Sequence, residues 1–425
     1  MKNKKGFILS TYVYILLVFF LLLLGTMLAV LNNTRILSNK LKDQSSNTSG
    51  LINKDFSFVL LGDKEILLRK GEEFIEPGYK IQSSSGNDLS DIVKITGSVN
   101  SDIEDIYELA YTATYNGVTR TLTRIVRVVR TAVEKIESLA TESNTEGLEV
   151  TSDGNIRYTG NSPKNYIKFN GEDWRIIGTF TVTTASGNTE KLVKIVKDTS
   201  IGDYSWDSSE SSVNGGYGVN EWSQADLMTE LNTLYLNQES GICYNGEDNA
   251  STACDFGTTG ISNTYRSMIE EIVWNTGAFE WDDNGITVET AYNAERGTTT
   301  GKECTSGDYC NDSVTRTTTW QGKVGLIYPS DYAYASTDTS CRASINDDTN
   351  YPCNNSNWLS SPYYWILSPN ANSSISYGVW GVHDGFAISG YAYIDAGVRP
   401  SIYLKSNIVI VGGDGTNSNP YKLSI

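Results

Sequence analysis

The chain has 425 residues, too many for one ordinary hydrophobic core and enough for two or three domains. Hydrophobic residues make up 39%, which excludes wholesale disorder. Lys+Arg number 33 against 50 Asp+Glu, so a net charge of −17 denies the chain the basic footprint of a nucleic-acid binder, and no nucleic-acid partner is expected.

The first element is apolar. From Phe7 to Leu31 no residue is charged, and at ~1.5 Å per residue a helix of that length exceeds the ~30 Å hydrocarbon core. Lys2, Lys4 and Lys5 precede it and favour an inside N-terminus. Residues 1–43 are therefore expected to be a cytoplasmic tip and transmembrane helix of a single-pass protein in the cytoplasmic membrane, with the C-terminal domains extracellular. The stretch "KKGF" before an apolar helix also resembles a type IV prepilin leader, in which cleavage follows the glycine. That family normally has glutamate as the fifth mature residue, where this chain has Thr11. Two readings stay open: an uncleaved signal-anchor, or a processed pilin-like subunit assembled through the Phe7–Leu41 helix.

Residues 44–54 read as a linker, entered through the polar, flexible "KDQSSNTSG" of Lys42–Gly50. Residues 55–131 read as an all-β spacer. Tyr107, Leu109, Tyr111, Ala113 and Tyr115 alternate onto one face, the period of a half-buried strand. Asn116-Gly117 then predicts a type I′ turn, because both turn positions need positive φ, and "VTRTLTRIVRVV" is the β-branched return strand. Upstream, Pro77-Gly78 punctuates two further strands. The succession of "EEFIEPGYKI" and the Tyr-Thr-alternating hairpin resembles the bacterial Ig-like modules of Gram-positive surface proteins. That resemblance implies an Ig-like sandwich serving as a spacer.

From residue 132 to 425 the texture turns to Ser, Thr, Asn, Gly, Tyr and Trp. "YIKFNGEDWRIIGTF" predicts two strands around Asn170-Gly171. "WSQADLMTELNTLYL" predicts a helix over Trp222–Leu236 with Ser223 as N-cap. A second short helix is expected over Thr264–Trp274, and "GKVGLIYPSDYAYAS" predicts a strand running into a turn. Cys243, Cys254, Cys304, Cys310, Cys341 and Cys353 fall into three close neighbours without CxxC or clustered His, so they do not form a zinc pattern. Three short-loop disulfides are expected, Cys243–Cys254, Cys304–Cys310 and Cys341–Cys353, each stabilising its loop by roughly 2–3 kcal/mol. They require an oxidising exterior; six buried free thiols are the alternative.

The ordered motifs "WRIIG", "IYPSDY", "WILSP", "GVRPSIYLKS" and "GGDGTNSNPYKL" resemble an uncharacterised domain family of secreted Firmicutes and Mollicutes-related proteins. Their arrangement is also similar to the C-type-lectin-like fold of formylglycine-generating-enzyme relatives. An α+β head is implied, with Arg399 as the arginine that anchors the core at the closing strand. Some such folds carry a ligand-binding surface diversified by retroelements just upstream of that strand.

That position holds Ser374–Leu404, where Asp384-Gly385 predicts a two-residue hairpin. In this register one face carries Tyr377, Val379, Gly381, His383, Phe386 and Ile388, and the other Trp380, Val382, Ala387 and Tyr391. Trp380 and Val382 read as the inward set. Tyr377, His383, Phe386, Ile388, Tyr391 and Tyr393 are the candidate ligand-binding residues, since paratopes combine rigid amphipathic aromatics with small polar neighbours. A fully buried hairpin is the competing reading. His383 is the only imidazole, and no GxSxG, HExxH or phosphate-loop pattern accompanies it, so no enzyme is expected. The acid pairs Asp282-Asp283 and Asp347-Asp348 sit in Gly/Asn-rich turns without EF-hand spacing. No cofactor is expected from them; calcium is a weaker alternative. The whole reads as a membrane-anchored adhesin or receptor for an extracellular protein or glycan.

Overall fold

The computed structural model describes residues 56–142, 147–209, 215–279, 285–297, 317–346, 353, 355–360, 363–371 and 377–424. Among them no helix is long and apolar enough to cross a membrane. The apolar segment Phe7–Leu31, the linker, the pair Cys304 and Cys310, and the acid pairs Asp282-Asp283 and Asp347-Asp348 all lie outside the described residues. The chain divides into two compact units, one including Glu73–Asn100 and Ile106–Arg127, the other including Val128–Ile425.

In the first unit Phe56–Leu60 pairs antiparallel with Tyr79–Ser83. Glu65–Arg69, Val118–Val129, Asp105–Tyr115 and Lys94–Thr96 follow one another across a four-stranded sheet. The alternation of Tyr107–Tyr115 is realised, with Leu109, Tyr111 and Ala113 buried. Asn116 and Gly117 take φ of 48° and 80°, as a type I′ turn demands. Rings bridge the two sheets, Tyr79 lying 5.8 Å from Tyr111 and Phe56 6.1 Å from Tyr115. Arg124 is fully buried. Its guanidinium donates to the carbonyls of Asp63, Leu61 and Gly78 and pairs with Glu76 at 3.1 Å, so the charge is solvated by backbone at the Pro77-Gly78 turn.

The second unit opens on a helix, Ala132–Glu142, that the sequence reading did not anticipate. Its main sheet has ten strands among the described residues. Glu172–Thr183 lies at its centre, between Tyr166–Phe169 and Thr189–Lys197, and Ser401–Leu404 pairs with the latter. Asn170-Gly171 makes the predicted turn with φ of 55° and 78°. The "WRIIG" motif supplies buried Trp174, Ile176 and Ile177, with a bulge at Ile177 just before Gly178, where a Cβ would lie 1.9 Å from the Ile156 carbonyl oxygen. The final strand, Tyr421–Ser424, pairs parallel with Tyr166–Phe169, so the last motif closes on the first. Arg399 is buried before the Ser401–Leu404 strand; its Nε donates to the Lys197 carbonyl at 3.0 Å and its guanidinium covers the Tyr364 ring.

Three expected elements differ. Trp222–Leu236 is not one helix from a Ser223 cap: it is a 3₁₀ turn at Trp222–Gln224, an α-turn at Asp226–Thr229 and a π-helix at Glu230–Tyr235. Burying Trp222 turns the chain before the helix starts, and Ser223 Oγ bonds Glu221 instead. The helix expected over Thr264–Trp274 is only Asn263–Arg266. Ile269–Glu270 and Ile272–Asn275 are strands, because Ile269 and Trp274 find ladder partners in Leu404 and Trp320. After Val324–Gly325 the expected turn is a helix, Pro329–Tyr334. Asp331 makes it one by accepting the Tyr328 N–H at 3.1 Å. The same carboxylate meets Lys194 Nζ at 2.6 Å, both side chains fully buried, so "IYPSDY" places a charge hub in the core.

Candidate functional site

A second sheet orders Asp203–Ser205, Asp395–Gly397, Tyr364–Pro369, Gly378–His383 and Phe386–Tyr391. Its last two strands are the predicted hairpin, in the predicted register: His383 faces Phe386, Gly381 faces Ile388 and Trp380 faces Ser389. Asp384 and Gly385 take φ of 46° and 100°. Trp380, Val382 and Ala387 are fully buried. Trp380 stacks on Phe279 at 4.9 Å and donates its indole N–H to the Phe279 carbonyl at 3.2 Å.

The opposite face is less open than expected. Val379 is also fully buried, and Tyr363 lies over Gly381 and Gly390, where added Cβ atoms would come within 2.7 and 2.3 Å of its ring or hydroxyl. Both glycines are thus the space that Tyr363 occupies. The six candidate residues separate into two groups. At the turn, His383 is half-exposed, with Tyr363 and Phe386 rings 5.8 and 6.2 Å away and an Asp384 carboxylate oxygen 3.6 Å from Nδ1. Phe386 and Ile388 are half-buried.

At the open end Tyr377, Tyr391 and Tyr393 come together around a residue that the sequence reading missed, Tyr217. Its ring centroid lies 4.6 Å from Tyr377, 5.4 Å from Tyr391 and 5.7 Å from Tyr393. Tyr391 also meets Tyr377 at 5.2 Å and Tyr393 at 5.8 Å. Tyr393 is the buried floor, whereas Tyr217 and Tyr391 remain 38% and 45% exposed. The signal for Tyr217 was its neighbours: Gly216 and Gly218 take positive φ on either side, and a Cβ on Gly218 would press on Asp207 and Ala392.

Buried carboxylates fasten this tyrosine arm. Asp207 accepts the backbone N–H groups of Val219 at 2.8 Å and Asp226 at 3.1 Å, and Asp226 accepts that of Ser208. Burial, and secondarily the Asp226 charge, push Asp207 up to about 7. Glu230 accepts the Tyr244 N–H and is pushed up to about 8, by burial first and then by Asp226 and Asp207. Tyr244 belongs to the hairpin Ser240–Tyr244/Ser251–Asp255, which the Cys243–Cys254 disulfide crosses. From the loop of that hairpin Glu247 accepts the Tyr393 hydroxyl at 3.2 Å. Cys341–Cys353, the second expected pairing that falls on described residues, is also bonded. Burial raises the Tyr377 and Tyr393 phenols, and the Tyr393 hydroxyl is spent on Glu247.

Residues 58–128 match the family model of the Ig-like domain of bacterial surface proteins. That segment is a bacterial surface Ig-like module. The Ig-like module marks a chain exposed outside the cell, and the two disulfides suit such a compartment. No curated protein matches the chain. Among solved structures, the lipoprotein BT2262 from Bacteroides thetaiotaomicron is similar at 20% identity over 47% of this chain and 78% of its own, with a TM-score of 0.17. The CBM51-2 and INT domains of ZmpB from Clostridium perfringens are similar at 11% identity over 33% of this chain and 29% of theirs, with a TM-score of 0.14. The same pair with CBM51-2 in complex with GlcNAc covers 47% and 40% at a TM-score of 0.16.

Proposed function

We propose that this chain is a membrane-anchored adhesin or receptor whose C-terminal unit, a lectin-like head, captures an extracellular glycan or protein on its tyrosine cluster. The observation that carries this reading is the convergence of Tyr217, Tyr377, Tyr391 and Tyr393, from two distant parts of the chain, into one half-exposed patch. Two of these rings remain open to solvent, as rigid amphipathic anchors do. The Ig-like module is the spacer in this reading. The reading is of a binder and not an enzyme, since the single imidazole, His383, comes with no nucleophile motif in the sequence.

The test uses the full chain purified in detergent, applied to a glycan array and to host cells. Tyr217→Ala and Tyr391→Ala should each weaken capture by about 2 kcal/mol, roughly thirtyfold, with little change in melting temperature. Unchanged capture by both variants would move the site elsewhere. N-terminal sequencing of the extracted chain separates the anchor from the pilin-like assembly suggested by "KKGF": an intact Met1 supports the anchor, a start at Phe7 the assembly.

A further inference from the structure

Away from the tyrosine patch, the second unit holds a cleft of about 410 Å³, within the range of small-ligand sites. Thr181, Thr183 and Thr189, on the hairpin of the central sheet, form one side of it, and Tyr292 and Arg296, at the end of helix Val288–Glu295, form another. Tyr328 lies at its base, buried.

Among the polar groups lining this space, beside threonine hydroxyls and asparagine amides that can donate or accept, Arg296 and Tyr328 supply donors. Arg296 is fixed from behind: Nη1 donates to the Glu295 carboxylate at 2.9 Å and to the Tyr292 carbonyl at 3.2 Å, and the guanidinium lies 3.6 Å above the Tyr292 ring. Its Nε and Nη2 have no acceptor among the described residues. Glu295 is itself held by the Ser330 N–H and hydroxyl at 2.7 and 2.6 Å, so the guanidinium is oriented without being used up. The Tyr328 hydroxyl accepts the Asn275 N–H at 2.9 Å, and its own proton has no acceptor among the described residues. Burial raises that phenol, which stays protonated. In a chain with 50 Asp+Glu, no carboxylate is among the described residues that line the cleft. The net charge of −17 repels anions at a distance, but screening over ~8 Å at physiological salt leaves the local donors to decide.

From these converging donors, ringed by threonine hydroxyls, we infer a second binding site, for a small carboxylate that also carries hydroxyl groups: an acidic sugar. The Arg296 edge would take the carboxylate in a charge-assisted pair, the Tyr328 hydroxyl a further oxygen, and the threonines the ring hydroxyls.

Titration calorimetry of the full chain in detergent with sodium glucuronate tests this, with glucose and sodium acetate as controls. Glucuronate should bind at least about tenfold more tightly than either, since a buried donor set left unpaired rejects the analogue that lacks its partner. Tyr328→Phe should weaken glucuronate several-fold, and Arg296→Gln should abolish it. Because losing Arg296 exposes Glu295 to mispairing, Thr183→Glu serves beside it: this exposed mouth position tolerates the change, and the added carboxylate should repel the ligand. No glucuronate binding, or glucose binding equally well, would overturn the site. Acetate binding equally well would overturn the sugar assignment. Unchanged affinity in both Tyr328→Phe and Thr183→Glu would place the ligand elsewhere.

Discussion

Glu230 and Asp207 are the buried carboxylates expected to give the region around the tyrosine arm a pH response. Their ordinary values are 4.5 and 3.8, and the fold raises them to about 8 and about 7, chiefly by burial. The folded state thus keeps protons that the unfolded chain has released. The stability they contribute is complete below about pH 4 and is lost as pH rises through about 7 to 8. The melting temperature should therefore fall between about pH 5.5 and about pH 8.5. Glu230→Gln keeps an acceptor for the Tyr244 N–H but cannot ionise, so its curve should be flatter. An equally steep fall in the variant would assign the pH response to other groups. Nothing in the sequence marked these acids, because the shift comes from burial that only folding creates.

The hairpin shows at the scale of one element what patterning can and cannot reveal. Its register follows from local chemistry, since Asp384-Gly385 supplies two positive φ values and the period of two then assigns every side chain to a face. Trp380→Ala should cost ~3–5 kcal/mol as a large-to-small change in a stacked, fully buried site. His383→Ala, half-exposed beside the turn, should stay within about 0.5 kcal/mol. Phe386→Ala falls between, because Phe386 is half-buried. Chemical denaturation of the three variants gives the order, and a Phe386→Ala loss equal to that of Trp380→Ala would make the turn part of the core. What the pattern missed was coverage of the second face by Tyr363, which reaches it from outside the hairpin. The same limit broke the expected Thr264–Trp274 helix, whose residues follow their ladder partners rather than their own periodicity.

For the whole molecule, the two units differ in how they are held. The Ig-like module contains no cysteine, while both disulfides among the described residues lie in the second unit. Differential scanning calorimetry of the full chain should resolve two transitions, and reductant should lower only one of them. The loops closed span 11 and 12 residues of separation, so each lost bond removes roughly 2–3 kcal/mol from that unit. Equal shifts of both transitions, or no shift, would contradict this division.

The sequence alone determined whatever rests on neighbours along the chain. The turns at Asn116-Gly117, Asn170-Gly171 and Asp384-Gly385, the alternating strand of the Ig-like module and the cysteine pairs Cys243–Cys254 and Cys341–Cys353 all follow from backbone conformation and short loop closure. The tertiary structure decided what depends on residues far apart. It brought Tyr217 to Tyr377, Tyr391 and Tyr393, joined Lys194 to Asp331 in the core, and set Arg296 and Tyr328 to face one cleft. Local propensity acts within a turn or a strand, whereas a site assembles where packing removes water from groups that no sequence period relates.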